Sequence, residues 1–366
     1  MDHRIAEHAE VLVDWSARID SGDNVVVSVD AGAHPLGVAV AGAIGARGGN
    51  LVTTSGSDEI TRAYLHAHPG DFEQDPAHEL GLYEEADAVL LLRGTRNTST
   101  MGDVPGSVTA AYRRTRQGIA DARLTTDWVA TVHPTRALAQ QADMAIEAYR
   151  DFVYGAILRD WEALAGEMAQ LKARLDAGST VRIDAPGTEI TLSIEDRVAV
   201  NSAASVDFDS HNLPSGEVFT APAGATGEMT FDLPMTIDGR QVRDVRLVFE
   251  NGVVVDHEAD RNESVLSDIL ETDDGARRVG ELGFGMNRNI DRITNNILFD
   301  EKMGDTIHLA VGRPYAACFS DGTPSHDSAV HVDLIADVRE ESRVWIDEEL
   351  VQQNGRFAWE EGFEGP

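Results

Sequence analysis

The chain has 366 residues, which is long enough for two domains that each bury an apolar core. Asp and Glu number 63 against 30 Lys and Arg, and the net charge of −33 disfavours nucleic-acid and anionic-membrane partners. Because 42% of the residues are hydrophobic, the chain should fold, and its acid-rich, lysine-poor composition is typical of adaptation to a salty cytoplasm.

The first half of the chain alternates strand and helix patterns. Apolar runs predict strands, and apolar residues at helical spacing predict helices, beginning with the segment from Ile5 to Trp15. The predicted strands cover residues 25–29, 51–54, 88–92 and 128–132, and the predicted helices cover 36–46, 108–122 and 144–175. This alternation is typical of an α/β domain with a mostly parallel sheet.

Two glycine-bearing segments need to be weighed as ligand sites. The glycines of residues 42–49 follow the Ala-rich helix, whereas a phosphate-binding glycine loop must follow a strand and begin a helix. We therefore predict that they end the helix. The loop at residues 94–98 follows a predicted parallel strand, where open α/β sheets bind ligands, but no partner motif accompanies it. It is predicted to be only a loop.

Beyond residue 180 the apolar periodicity changes to two, which indicates strands. They are predicted over residues 180–183, 189–194, 229–233, 245–249, 253–255, 306–311 and 328–335, with a helix over 264–272. Asn251-Gly252 predicts a hairpin turn. We therefore predict an α/β domain over residues 1–180 and a mainly β (α+β) domain over residues 181–366, which would carry the metal ligands.

Cysteine content and the terminus predict the cellular compartment. Cys318 is the only cysteine and is predicted to be a small buried apolar residue. The first residues lack a basic segment followed by an apolar one, and no apolar run reaches the roughly 18 residues that a spanning helix needs. We therefore expect a cytoplasmic protein without a membrane partner.

Two histidines and three acids have the chemistry of a metal site. His331 and Asp333 are two apart in a predicted strand, so both side chains should lie on one face. His308 lies in another predicted strand, and Glu217 and Glu281 each follow a glycine. Imidazole nitrogens and carboxylate oxygens bind divalent cations such as Zn²⁺. Each of these residues is individually more often a surface or packing side chain, so spacing alone predicts no more than a candidate metal site.

The residues around these side chains carry a family resemblance. The segments are Asn212-Leu213-Pro214-Ser215-Gly216-Glu217, Glu281-Leu282-Gly283-Phe284-Gly285, the stretch from Lys302 through His308 to Tyr315, and His331-Val332-Asp333. In this order they resemble the thermophilic metallo-aminopeptidase family, to which the bacterial aminopeptidases T and S belong. Residues 128–135 and 149–161 resemble the family's amino-terminal domain, so the resemblance covers nearly the whole chain.

This resemblance implies a homodimeric enzyme that binds two Zn²⁺, Co²⁺ or Mn²⁺ ions and removes amino-terminal residues from peptides. It implies five metal ligands, which are Glu217, Glu281, His308, His331 and Asp333. Tyr315 would lie beside the metals and stabilise the tetrahedral intermediate, and Glu281 would accept the proton of the attacking water or bridge the ions. Lys302, one of only two lysines, is a candidate for a specific ion pair or a substrate contact.

Two other functions stay open from the sequence. The 2,5-dihydroxypyridine dioxygenases share the family's architecture, and His308, His331 and Asp333 alone would suit a mononuclear Fe(II) oxygenase. A noncatalytic peptide-binding or metal-binding protein would also retain the ligands. The presence of both Glu217 and Glu281 favours the dinuclear hydrolase.

Overall fold

The computed structural model describes residues 2–237, 240–320 and 325–365, and the chain forms two compact units. The first unit comprises Met1–Arg159 and Ala204–Pro214, and the second comprises Asp160–Ala203 and Ser215–Pro366. The boundary expected near residue 180 lies beyond the point at which the chain leaves the first unit. Residues 204–214 belong to the first unit although their neighbours on both sides belong to the second.

Helices occur mainly in the first half of the chain. In chain order they are α1 Arg4–Glu10, α2 His34–Arg47, α3 Asp58–Ala67, α4 Ala77–Glu84, α5 Gly106–Arg114, α6 Gln117–Leu124, α7 Arg136–Gln141, α8 Ile146–Ile157, α9 Trp161–Ala177, α10 Glu263–Leu270 and α11 Ile297–Asp300. A π-helix over Val11–Ser16 continues α1. Within residues 2–237, 240–320 and 325–365, no helix has both the length and the apolar character needed to cross a membrane.

Strands occur in both units. In chain order they are β1 Asn24–Asp30, β2 Asn50–Gly56, β3 Ala88–Arg93, β4 Asp127–Val132, β5 Thr180–Ala185, β6 Thr188–Ser193, β7 Val200–Ser202, β8 Asn212–Leu213, β9 Glu217–Thr220, β10 Gly224–Phe231, β11 Met235–Ile237, β12 Arg240–Glu250, β13 Val253–Arg261, β14 Val279–Gly285, β15 Thr306–Gly312, β16 His331–Asp337, β17 Arg343–Ile346, β18 Glu349–Gln353 and β19 Arg356–Phe357.

The first unit contains a parallel sheet in the order β2-β1-β3-β4-β8. All four strands predicted in the first half are present, and the apolar run of β3 is buried from Ala88 to Leu92. Gly48 has φ 80° and ends α2, so the prediction of a helix stop there is confirmed. The predicted α/β fold with a parallel sheet is confirmed.

Two predicted helices are each divided in the structure, so their prediction as continuous helices was wrong. The helix predicted over 108–122 consists of α5 and α6, and the Thr115 hydroxyl between them donates to the Tyr112 carbonyl at 2.9 Å. The helix predicted over 144–175 consists of α8 and α9, and the Asp160 carboxylate accepts the Ala163 amide at 2.9 Å to begin α9. The backbone leaves helical angles at Arg116, with φ −124°, and at Leu158, with ψ 73°, and the Asp160 cap then begins a new helix.

The second unit contains two antiparallel sheets. The larger has the order β11-β12-β10-β6-β5-β17-β18-β19, with β13 paired to β12, and the smaller has the order β16-β15-β14-β9-β7. The hairpin predicted at Asn251-Gly252 is confirmed, since both residues have positive φ between β12 and β13. The strand predicted over 328–335 begins only at His331. Cys318 is buried beside Val200 and Phe219, as expected. The predicted mainly β second half is confirmed.

Candidate metal centre

All five residues that the resemblance implies as ligands lie on the smaller antiparallel sheet of the second unit. Glu217 begins β9, Glu281 lies in β14, His308 lies in β15, and His331 and Asp333 lie in β16. These strands are hydrogen-bonded neighbours in the order β16-β15-β14-β9. A single sheet therefore brings together side chains that are far apart in the sequence.

The strand register explains why these side chains share one face. Glu281 pairs with Ala310, and Ala310 pairs with Asp333, so the two carboxylates stand in one row across three strands. His308 and His331 each lie two residues before a member of that row, which places them on the same face. The prediction that His331 and Asp333 share a face is confirmed by a 3.3 Å approach between Nε2 and Oδ1.

Two glycines make room for this arrangement. Gly283 pairs with His308, and a Cβ atom on Gly283 would collide with the imidazole ring. Gly285 pairs with Glu217, and a Cβ atom there would collide with the carbonyl oxygen of Met303. The glycines beside Glu281 in the sequence are thus required by close approaches in the folded sheet.

The inner part of the cluster consists of His308, Glu217 and Glu281. Nε2 of His308 lies 3.1 Å from Oε1 of Glu281 and 3.5 Å from Oε2 of Glu217. One donor atom from each of the three residues lies within 4.8 Å of the other two, and all three side chains are buried. This spacing suits a shared cation.

His331 extends the cluster toward its rim. Its Nε2 lies 3.8 Å from Oε2 of Glu281, in addition to its contact with Asp333. Its Nδ1 hydrogen-bonds to the backbone carbonyl of Arg313 at 2.7 Å, and this bond orients the ring. A histidine whose Nδ1–H donates to a carbonyl presents Nε2 as its free ligand atom.

The carboxylates of the cluster are buried without enough hydrogen-bond donors. Among residues 2–237, 240–320 and 325–365, no donor is hydrogen-bonded to Oε2 of Glu217, Oε2 of Glu281 or Oδ1 of Asp333, and Nδ1 of His308 also lacks a hydrogen-bond partner. Buried charged oxygens of this kind are costly unless a cation or a proton compensates them. These carboxylates and imidazoles are therefore suitable ligands for one or more divalent cations.

The pKa values in the cluster respond to this concentration of charge. Burial raises the pKa of Glu281, and the nearby Asp333 carboxylate adds to that rise against the hydrogen bond from His308. Burial would also raise the pKa of Asp333, but the close approach of His331 and its charge lower it below its usual value. Burial would lower the pKa of His331, but Asp333 and Glu281 raise it to about 10. The cluster therefore attracts positive charge, as protons or as a cation.

Tyr315 lies at the rim of the cluster and is half exposed. Its ring lies edge-on to His331 with centroids 5.0 Å apart and tilted against Phe219 at 5.5 Å. Partial burial and the charges of Glu281 and Asp333 raise its pKa, so its hydroxyl stays protonated at neutral pH. The hydroxyl is thus available as a hydrogen-bond donor beside the cluster.

Lys302 lies beside the cluster and forms an ion pair, one of the two roles that the sequence left open for it. Its side chain is fully buried, and Nζ lies 3.4 Å from Oε1 of Glu217 and in contact with the carboxylate of Glu301. The sequence reasoning missed Glu301 altogether. The signal was present, because a lysine next to a glutamate in a chain with only two lysines marks an ion pair worth testing.

Comparison with known proteins identifies similar chains over nearly the full length. The model of the family described as thermophilic metalloprotease (M29) matches residues 1–356. Aminopeptidase 2 of Geobacillus stearothermophilus is 27% identical, with 91% of this chain and 92% of the relative aligned.

Two solved structures have a similar fold. Wild-type AmpT from Thermus thermophilus aligns with a TM-score of 0.85 at 22% identity, covering 97% of this chain and 99% of that chain. The 2,5-dihydroxypyridine dioxygenase of Pseudomonas putida KT2440 aligns with a TM-score of 0.61 at 12% identity, covering 99% of both chains. At these identities the likeness establishes the architecture alone.

Proposed function

The chain belongs to the thermophilic metalloprotease (M29) family and is a hydrolase of the metallo-aminopeptidase type, and we propose that it uses two divalent metal ions to remove amino-terminal residues from peptides. One observation carries this proposal. Three buried carboxylates, of Glu217, Glu281 and Asp333, each keep an oxygen without a hydrogen-bond donor among the described residues, beside two imidazoles.

The residues that would hold the metals are Glu217, Glu281, His308, His331 and Asp333. Mixed oxygen and nitrogen donors suit Zn²⁺, Co²⁺ or Mn²⁺. Three carboxylates are more negative charge than one cation and two neutral imidazoles offset, which favours two ions over one. When bound there, divalent ions would supply Lewis-acid chemistry at the scissile carbonyl and a water nucleophile at neutral pH.

Glu281 is the residue we propose as proton acceptor. The pKa of Glu281 is raised, mainly by burial, whereas the pKa of Asp333 is lowered, against the effect of burial, by its close contact with His331. Glu281 also lies between the two imidazoles, with Oε1 3.1 Å from Nε2 of His308 and Oε2 3.8 Å from Nε2 of His331. Glu281 would therefore take the proton of the attacking water, and Asp333 would remain ionised as a metal ligand.

Tyr315 is the residue we propose as donor to the tetrahedral intermediate. Its hydroxyl remains protonated at neutral pH because burial and neighbouring carboxylates raise its pKa. Its contact with His331 positions the ring at the edge of the cluster, where a substrate carbonyl would arrive. A hydrogen bond to the developing oxyanion lowers the barrier because it strengthens in the transition state.

The substrate class and assembly follow from the same proposal. The free amine of a peptide would bind one metal or a nearby carboxylate. We also propose that the enzyme is a cytoplasmic homodimer. Light scattering of the purified protein tests the dimer, and a mass equal to one chain would contradict it.

The decisive experiment restores single metals to the chelated enzyme. Aminoacyl p-nitroanilides are assayed in high salt after addition of Zn²⁺, Co²⁺, Mn²⁺ or Fe²⁺, with bound metal measured in parallel. The proposal expects about two ions per chain together with peptidase activity. One iron with oxygen uptake would indicate the dioxygenase alternative, and metal without turnover would indicate a noncatalytic relative. The dioxygenase likeness extends to the fold alone, and Glu217 and Glu281 favour the hydrolase.

His331→Ala tests the ligand assignment directly. The substitution removes Nε2 from its place beside Asp333 and Glu281 at a position that is only partly buried, so the sheet should survive. We expect loss of activity and of bound metal with an unchanged circular dichroism spectrum. Full activity in this variant would rule out the assignment.

A further inference from the structure

Lys302 is a buried cation at a site that should attract cations. It is one of two lysines in the chain, and its side chain is fully buried. Its ammonium lies between two carboxylates, Glu217 and Glu301. Burying an ammonium group is costly unless it is paired, so this placement needs a physical reason.

The two oxygens of Glu217 have different neighbours. Oε1 lies 3.4 Å from Nζ of Lys302, whereas Oε2 lies 3.5 Å from Nε2 of His308 and accepts no hydrogen bond from the described residues. One oxygen is therefore held by the lysine, and the other faces the donor atoms of Glu281 and His308. The carboxylate is oriented to give a single ligand atom to the cluster.

The backbone holds the lysine and the glutamate in register. The amide of Asn287 hydrogen-bonds at 3.1 Å to the carbonyl of Lys302 and at 3.1 Å to the carbonyl of Gly216, the residue before Glu217. The Asn287 side chain also donates to the Ser215 carbonyl at 2.9 Å. One residue thus fixes the distance between the two chain segments that carry the ion pair.

We propose that Lys302 is a positioning residue that holds Oε1 of Glu217 and thereby directs Oε2 at the metal. This inference deepens the proposed function and rests on it. Glu301 contacts the same ammonium and offsets its charge, which reduces the repulsion between Lys302 and a bound cation. The lysine does not contact substrate in this role, because its side chain has no exposure.

Metal affinity distinguishes this role from simple electrostatics. Removing a positive charge makes the cluster more negative, so charge alone predicts tighter metal binding in Lys302→Met. Loss of positioning predicts weaker binding, because Glu217 is then free to turn. Outer residues that orient ligands typically contribute about 10- to 100-fold to metal affinity.

The experiment titrates Zn²⁺ into chelated wild-type protein, Lys302→Met and Lys172→Met. Lys172 is the matched control, since it is the only other lysine and pairs with Asp176 at 2.6 Å in α9. We expect the dissociation constant of Lys302→Met to rise about 10- to 100-fold, with kcat largely restored at saturating metal. Lys172→Met should match wild type. Unchanged or tighter binding in Lys302→Met would overturn the inference.

Two further variants separate positioning from a general loss of stability. If Lys302→Met does not fold, Lys302→Arg carries the same test, because the planar guanidinium keeps the charge but changes the donor geometry. Weaker metal binding supports positioning, and unchanged binding contradicts it. In a Glu217→Gln background the lysine substitution should add little, whereas an unrelated destabilisation would add in full. Wild-type protein that binds no divalent ion would refute the proposed function before any variant is compared.

Discussion

The carboxyl edge of the parallel sheet in the first unit and the face of the small sheet in the second both carry acids and glycines. At the parallel edge, Oδ2 of Asp30 accepts the amide of Gly94 at 3.0 Å, so this carboxylate is used by the fold. On the antiparallel face, Glu281 and Asp333 each keep a buried oxygen that receives no hydrogen bond from the described residues. Buried carboxylate oxygens without hydrogen-bond donors therefore distinguish the candidate metal site from the edge of the parallel sheet.

The glycines of the two regions also differ in what they contact. A Cβ atom on Gly32 would collide with the backbone carbonyl of Gly94, so these two loops close on each other at the edge where parallel sheets often bind ligands. A Cβ atom on Gly283 would instead collide with the ring of His308. Gly32 and Gly94 allow two loops to pack against each other, whereas Gly283 leaves space for the imidazole of His308.

The largest expected difference is between two acid-to-amide substitutions, one in each unit. Glu281→Gln should lower kcat/KM by about 10²- to 10⁴-fold, because it removes a general base and a charge from the cluster. Asp30→Asn keeps an oxygen that can accept the Gly94 amide, so activity should stay near the wild-type value. Steady-state assays with metal-saturated enzyme measure both. Comparable losses in the two variants would remove the distinction between the units.

The next largest difference is expected between two tyrosine-to-phenylalanine substitutions, one in each unit. Tyr315→Phe should reduce kcat by about 10²-fold with little change in KM, because its hydroxyl is proposed to act in the transition state. Tyr154 in the first unit is buried with its ring 6.3 Å from His8, and Tyr154→Phe should leave kcat unchanged. A rise in KM for Tyr315→Phe at constant kcat would instead assign the hydroxyl to substrate binding.

Local sequence patterns predicted the strands that are buried on both faces of the parallel sheet. The run Val25-Val26-Val27 is buried in β1, and its apolar character alone identified the strand. The strands β9 and β14 were not predicted, since β9 is short and begins with an acid, and β14 contains an acid and three glycines, which oppose strand propensity. The breaks at Thr115 and Asp160 were missed because neither residue is a strong helix breaker.

The site could be predicted only in part from local spacing. The pairing of His331 with Asp333 follows from a period of two within one strand. The approach of Glu217, Glu281 and His308 depends on the register of three strands, which no local pattern specifies. Those residues were therefore named by resemblance to a family, and their roles as ligands remain a prediction.

The glycines predict a smaller, measurable contrast in stability and metal binding. Gly32→Ala should lower the free energy of unfolding by about 1–3 kcal/mol, because a Cβ is forced against the rigid backbone at Gly94. Gly283→Ala displaces the imidazole of His308, so it should also reduce bound metal. Denaturant unfolding and metal analysis of both variants test this. Equal metal content in wild type and Gly283→Ala would show that the ring accommodates the methyl group.

The smallest effect concerns surface charge, which acts on both units alike. With a net charge of −33, raising KCl from 0.1 to 1 M shortens the Debye length from about 10 Å to about 3 Å and screens long-range repulsion more than contact ion pairs. We expect stabilisation of about 1 kcal/mol in each unit, which for a unit of this size corresponds to about 2–4 °C in Tm. Because the candidate metal cluster is buried, the Tm difference between chelated and metal-loaded protein should change little with salt. A fall in Tm with KCl would contradict salt adaptation, since ion-pair attraction would then outweigh the repulsion of the acidic surface.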